Sequence, residues 1–155
     1  MNTEMTYRRT FASGASPIGM MIALFDTLAG NFRRASDAIR ENDIERRCKE
    51  LNHATLVLGQ LETWLDLERG GEAAQTLALY YSSLRSKMLE ASAMKSAEIL
   101  EEQIESILHI RSAWQQIDIA STSAQPENRI SNAAGARMQF SEQAEDNGDR
   151  LSLSV

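Results

Sequence analysis

The side chains able to do chemistry in this sequence are few and badly placed for it. His53 and His109 are the only imidazoles, and Cys48 is the only thiol. A helical metal pair needs a second His, Cys or carboxylate three or four residues along, on the same face. Neither histidine has a second His or Cys at that spacing, since Cys48 stands five residues before His53. Glu98, Glu101, Glu102 and Glu105 do bring four carboxylates together, but a di-iron bundle needs Glu-x-x-His pairs turned inward. Glu102 and Glu105 have the spacing without the histidine and alternate with apolar residues, so they read as a solvated face. Cys48 falls on the apolar arc of its helix and reads as a small core residue rather than a nucleophile. There is no glycine-rich phosphate loop ending in Gly-Lys-Ser or Gly-Lys-Thr, no Gly-x-Ser-x-Gly elbow and no paired-histidine metal helix. The sequence thus implies no enzyme, no metal and no cofactor. The excess to be explained is apolar.

That excess sits on helices. After a polar stretch over residues 1–15, read as an extended arm, Ser16-Pro17 gives a helix start: serine caps exposed amides and proline is pre-set for the first helical position. Ile18, Met21, Ile22, Phe25, Leu28, Phe32, Ala35 and Ile39 follow at helical spacing. Asn42, with Glu45 three residues on, has the form of a capping box opening a second helix. Leu51, Leu58, Leu61 and Leu65 then precede Gly70-Gly71, and Leu77, Tyr80, Tyr81, Leu84 and Met88 resume the period beyond it. This reads as a helical hairpin with the two glycines as its turn. Ser96 is the expected cap of a last helix carrying Leu100, Ile104, Ile107, Ile110, Trp114 and Ile117.

Four helices, over about 17–41, 43–67, 72–91 and 96–118, joined by short links imply antiparallel neighbours. The expected fold is all-α: an up-down-up-down four-helix bundle over 16–119. From about Ala120 the chain turns to Ser, Gln, Asn, Gly and Ala with scattered apolar residues, and 120–155 reads as a disordered tail.

Bulk properties bound the partners. The chain has 155 residues, 43% hydrophobic and 25% charged, which is the composition of one ordinary soluble domain. Its net charge of −6 and pI near 5.0 argue against nucleic acid, whose binders present a basic face. A single cysteine forms no internal disulfide, which fits a reducing cytoplasm. The start lacks the apolar core of a signal peptide, and the longest apolar run, 18–25, is too short to span a bilayer. A cytoplasmic protein with no membrane insertion is expected.

Helix 2 carries a wide apolar arc. Ile44, Cys48, Leu51, Leu58 and Leu65 make one stripe, and Val57, Leu61 and Trp64 extend it to about half the helix circumference, where one buried face needs little over 100°. Two readings stay open at this point: bundle helices that touch two neighbours, or an exposed groove for amphipathic partner segments.

The hairpin also resembles a known family, the flagellar secretion chaperones called FliS. Its pattern "LD-ME-x-GG-x-x-A-x-x-L-x-x-LY" stands here as Leu65-Asp66-Leu67-Glu68-Arg69-Gly70-Gly71, then Ala74, Leu77 and Leu79-Tyr80. Tyr7 before Ala15-Ser16-Pro17, Met21 to Asp26 in place of "MLYDG", and the closing Ala113-Trp114 extend the likeness over Tyr7 to Ile117. Phe25 and Thr27 replace the usual Tyr and Gly. The resemblance implies a chaperone that binds the disordered C-terminal segment of flagellin, prevents premature polymerisation and delivers it to a flagellar export gate component. On that reading Val57, Leu61 and Trp64, with Ile110 from the last helix, line the client groove, and Tyr7 with Phe11 is an N-terminal plug for it. The oligomeric state expected is a monomer or weak homodimer. The alternatives are a self-associating helical scaffold with no flagellin client and an enzyme of unrecognised type.

Overall fold

The computed structural model describes residues 16–124; the expected arm and plug residues Tyr7 and Phe11, and the tail from 125 on, lie outside the described residues. Four helices follow one another: α1 (Pro17–Arg40), α2 (Ile44–Thr63), α3 (Gly71–Met94) and α4 (Ala97–Ser123). Among the described residues there is no strand, and no helix is long and apolar enough to cross a membrane.

Cross-helix bonds give the topology. Asn31 on α1 meets His53 on α2, and Arg34, one turn later, meets Glu50, one turn earlier. On the other side Asp26 meets Arg111 of α4, and Arg40 meets Glu101. In both pairs later residues of one helix meet earlier residues of the other, so α1 runs antiparallel to α2 and to α4. Arg85 to Glu62 ties α3 to α2, and Tyr80 to Ser106 ties α3 to α4. The ring of four closes as an antiparallel bundle.

The most enclosed element is α1, not the α2–α3 hairpin that dominates the sequence pattern. Eleven of its residues are buried, against five on α2, five on α3 and three on α4. Phe25, Leu28 and Phe32 are wholly inaccessible and meet Leu58, Leu61, Tyr81, Leu84, Leu100 and Ile107 in one core. Each such side chain contributes roughly 1.5–3 kcal/mol of transfer free energy. Ala29, Ala35, Ala38 and Ser36, all small and buried, let neighbours approach α1 from several sides.

The helix ends correct several sequence expectations. Ser16 does cap α1, accepting from the Gly19 amide at 3.0 Å, with Pro17 as its first residue. At the far end Asn42 is not the cap of α2. It takes a left-handed conformation (φ 55°), and the amides of Asn42 and Asp43 bond back to Ile39 and Ala38, closing α1 as a Schellman motif. Asp43 then caps α2, accepting from the Arg46 amide at 2.9 Å. Asparagine tolerates positive φ better than most residues, which assigns the two neighbours their different tasks.

α2 stops at Thr63, short of the expected 67, and a seven-residue connection follows. Asp66 organises it: its carboxylate accepts from the amides of Glu68 and Arg69, and its carbonyl from Gly70 at 2.7 Å. A Cβ on Gly70 would stand 2.5 Å from that carbonyl and 2.6 Å from Ala74 Cβ. Gly71 has φ +55° and begins α3. The left-handed glycine thus starts the second helix of the hairpin rather than ending the first. Lys95, also left-handed, ends α3, and the Ser96 hydroxyl donates to the Glu98 carboxylate at the head of α4.

The chain divides into two units, 1–116 and 117–155. Of the second, the described part is the final stretch of α4, where Ser121, Thr122 and Ser123 each donate a hydroxyl to the carbonyl four residues back at 2.9 Å. Those bonds accompany a helix that continues past residue 120, where the sequence pattern breaks.

Candidate functional site

Large apolar side chains remain outside the core on the two later helices. Only Ala97, Leu100 and Ile107 of α4 are buried. Ile99, Ile104, Ile110 and Trp114 pack against the core while partly exposed, and Leu108 is 39% exposed. On α3, Leu79 and Leu89 are each 74% exposed. Between α2 and α3 a cleft of about 400 Å³ has Leu51 and Met88 at its base and Thr55, Arg85 and Leu89 among its walls.

The expected groove residues divide. Val57 and Leu61 are 2% and 0% exposed and belong to the core. They continue the row Glu50 and His53, the flank of α2 that holds α1. Trp64 lies just past α2 and is half-buried against the core. Ile110 is also half-buried, but it follows Ser106 by four residues on the flank of α4 that faces Tyr80 of α3. The four residues therefore sit on flanks that face different neighbours. Cys48 corrects its core reading: the thiol is exposed, on the rim of the α2–α3 cleft. A position about 80° round the helix from Leu58 was legible as apolar-adjacent but not as outward-facing.

Polar contacts fasten the frame. Asn31 is fully buried; its Oδ1 accepts from Arg34 Nη2 at 2.6 Å and lies 3.0 Å from His53 Nδ1. An amide oxygen only accepts, so Nδ1 carries a hydrogen and the ring serves to join α1 to α2. His109 is exposed. Glu98, Glu102 and Glu105 are exposed as expected of a solvated face. Glu101 does more, since its carboxylate takes Arg40 of α1 and the Ser36 hydroxyl at 2.9 Å. Among the described residues no group of three or more His, Cys, Asp or Glu side chains could hold a metal ion.

The tyrosine pair stiffens the inner face of α3. Tyr81 lies 6.4 Å from Phe25 and 6.0 Å from Tyr80, centroid to centroid. Burial, then the neighbouring Tyr80 and Glu62, pushes the Tyr81 phenol up to about 12. Burial raises Tyr80 as well, against the opposing bond to Ser106 at 2.8 Å. Both stay neutral at physiological pH, and α3 carries no Asp, Glu, Lys or Arg from Ala73 to Leu84. That charge-free run, like Leu51 to Leu61 on α2, is the signal in the sequence that apolar periodicity alone passes over.

Comparison with known proteins places the chain. The family model described as flagellar protein FliS matches residues 1–121. A flagellar secretion chaperone FliS of Campylobacter jejuni is 28% identical over 123 residues, covering 77% of this chain and 93% of the relative. One from Salmonella typhimurium is 30% identical over 104 residues, 66% of this chain and 77% of its own. Another, from Vibrio cholerae, is 27% identical over 105 residues, 68% and 77% respectively.

Proposed function

The chain belongs to the FliS family of flagellar proteins, and from that premise we propose that it is a cytoplasmic export chaperone for flagellin. It binds the disordered C-terminal segment of newly made flagellin, keeps subunits from polymerising early, and hands them to the flagellar export gate. The observation that carries this reading is the unspent apolar surface of a bundle whose core is already filled: Leu108 and the half-buried Ile99, Ile110 and Trp114 on α4, with Leu79 and Leu89 on α3. Apolar positions at helical spacing on such a surface accept amphipathic segments. The chain acts by binding. A disordered client orders as it docks, and the ordering cost limits affinity, which suits cargo that must be let go.

Calorimetric titration of the protein with a flagellin C-terminal peptide, followed by circular dichroism of the mixture, tests the proposal. One peptide per chain with a gain of helical signal is expected. Absence of binding heat would leave a scaffold without a flagellin client.

A further inference from the structure

Apolar side chains stay half covered along the seam between α3 and α4. Ile99 and Ile110 are both half-buried, and they stand seven residues before and four after Ser106, which meets the Tyr80 hydroxyl of α3 at 2.8 Å. Trp114, one turn beyond Ile110, continues the row. Thr76 and Ser83 lie four residues before and three after Tyr80, so the rim that α3 lends here is polar but uncharged. From Ile99 to Ile110 the row runs about 16 Å, or three helical turns.

The other rim is charged, and with one sign only. Glu98, Glu102 and Glu105 are exposed at i, i+4 and i+7 on the outer side of α4, and no Lys or Arg occurs from Ala97 to Ile110. Glu98 has a local reason, since it sits in the first turn and takes the Ser96 hydroxyl at 2.8 Å. Glu102 and Glu105 have none: they lie past the first turn, and neither side chain makes a hydrogen bond or an ion pair among the described residues. Like charges three and four residues apart weaken a helix, and a solvated face ordinarily interleaves both signs. The Lys87 ammonium of α3 is raised above its ordinary value, first by its Glu90 partner and last by Glu102, so Glu102 lies on the side of α4 that borders the seam. Glu90 already holds Lys87 at 2.8 Å.

We propose that the α3–α4 seam selects, among amphipathic helices, one edged with lysine or arginine. Its occupant is the flagellin segment, an assignment that rests on the client reading above. Apolar side chains of the docked helix at i, i+3 or i+4 and i+7 settle on Ile99, Ile110 and Trp114, and a basic edge beside them lies against Glu98, Glu102 and Glu105. The pairing works in one direction: such a helix relieves the repulsion within the acidic row, whereas one edged with Asp or Glu adds to it. Charges at a rim steer encounter and reject wrong partners more than they add affinity, so the apolar row supplies the hold. From Ser106 to Trp114 α4 carries no Asp or Glu. The basic residues therefore belong at one end of the docked helix, and the seam also sets its direction.

Two synthetic peptides of roughly 18 residues, identical in an apolar helical stripe and differing only in whether one edge carries Lys or Glu, test the selection on the full chain. Trp64→Phe leaves Trp114 as the single tryptophan, so its emission reports what covers the seam. The Lys-edged peptide is expected to shift that emission and to bind at least about tenfold tighter than the Glu-edged one at low salt, with the difference shrinking as salt is raised. Glu102→Lys combined with Glu105→Lys should invert the order while the helical signal stays unchanged. Equal affinities for the two peptides, an order that survives the double substitution, or binding that leaves Trp114 unmoved overturns the proposal. Failure of both peptides to bind where a flagellin C-terminal peptide does also overturns it, and leaves the client reading standing. A Lys-edged peptide that binds as expected but is not displaced by the flagellin peptide upholds the selection and fails the client reading alone.

Discussion

Glu101 of α4 receives Arg40 of α1 through both carboxylate oxygens, with Ser36 as a third donor. First the Arg40 bonds and then the Ser36 bond hold the Glu101 carboxyl down to about 2 from its ordinary 4.5. An acid held low in the folded chain contributes stability above its unfolded value and loses it as pH falls through the folded one. The window here runs from about pH 5 down to about pH 2. Both side chains are more than 40% exposed, so solvent and salt screen the pair and its effect is modest. Glu101→Gln is expected to lower the thermal midpoint by a few degrees at pH 7 and by nothing near pH 2. An equal gap at both pH values would mean that packing, not charge, is what the substitution removes.

The hairpin turn gives two glycine substitutions of different origin. Gly70→Ala forces a methyl group against the Asp66 carbonyl and Ala74 and is expected to cost about 1–3 kcal/mol. Gly71→Ala places a Cβ in a left-handed conformation, at roughly 1–2 kcal/mol, and Gly71→Asn should recover part of that loss. Urea unfolding midpoints measure all three; a Gly70→Ala loss smaller than that of Gly71→Asn would show that the turn relaxes around the added methyl.

The Tyr81 hydroxyl is buried and has no hydrogen-bond partner among the described residues. Tyr81→Phe removes an unpaired polar group and keeps the ring against Phe25, so stability at pH 7 should stay within about 1 kcal/mol or rise. Tyr81→Ala empties the site and should cost about 3–5 kcal/mol. The pH dependence has the opposite sense to that of Glu101. A phenol whose proton is held more tightly when folded contributes fully below its ordinary 10, and the folded state loses ground as pH rises from there to about 12. Tyr81→Phe should abolish that alkaline loss, which denaturant titration at pH 8 and pH 11 would register.

Helix number, helix order and most of the core were legible because period-3.6 apolar spacing reports burial directly: Phe25, Leu58, Leu84 and Ile107 were readable and are buried. The dominance of α1 was not, since Ala29, Ala35 and Ser36 look like fillers in a pattern weighted by large side chains. Val57 and Leu61 were readable as apolar, yet a one-dimensional pattern does not say whether a wide arc faces a second neighbour or water. Here α1 occupies that flank. Exchanged caps such as Asn42 and Asp43 differ only in backbone conformation, which two adjacent side chains of the same size do not disclose.

The separation of Trp64 from Ile110 shapes the last prediction. Trp64 ends the flank of α2 that faces α1, and Ile110 lies on the flank of α4 that faces α3. Both are half-buried against the core, so part of each side chain faces outward, while Val57 and Leu61 expose almost nothing. If a single flagellin segment bound both, their contributions would be coupled through it; if two segments bind, the client wraps the bundle and the contributions add. Wrapping is expected. Trp64→Ala should cost about 2 kcal/mol, roughly thirtyfold in affinity, and Ile110→Ala somewhat less, with the double variant losing the sum of the two. A flagellin peptide shortened from one end should then lose sensitivity to one substitution and keep it to the other. Calorimetry of the four proteins against the two peptides gives the full cycle, with circular dichroism confirming that each variant stays helical. Affinities that fail to add, or a short peptide sensitive to both substitutions, would place Trp64 and Ile110 under one client segment instead.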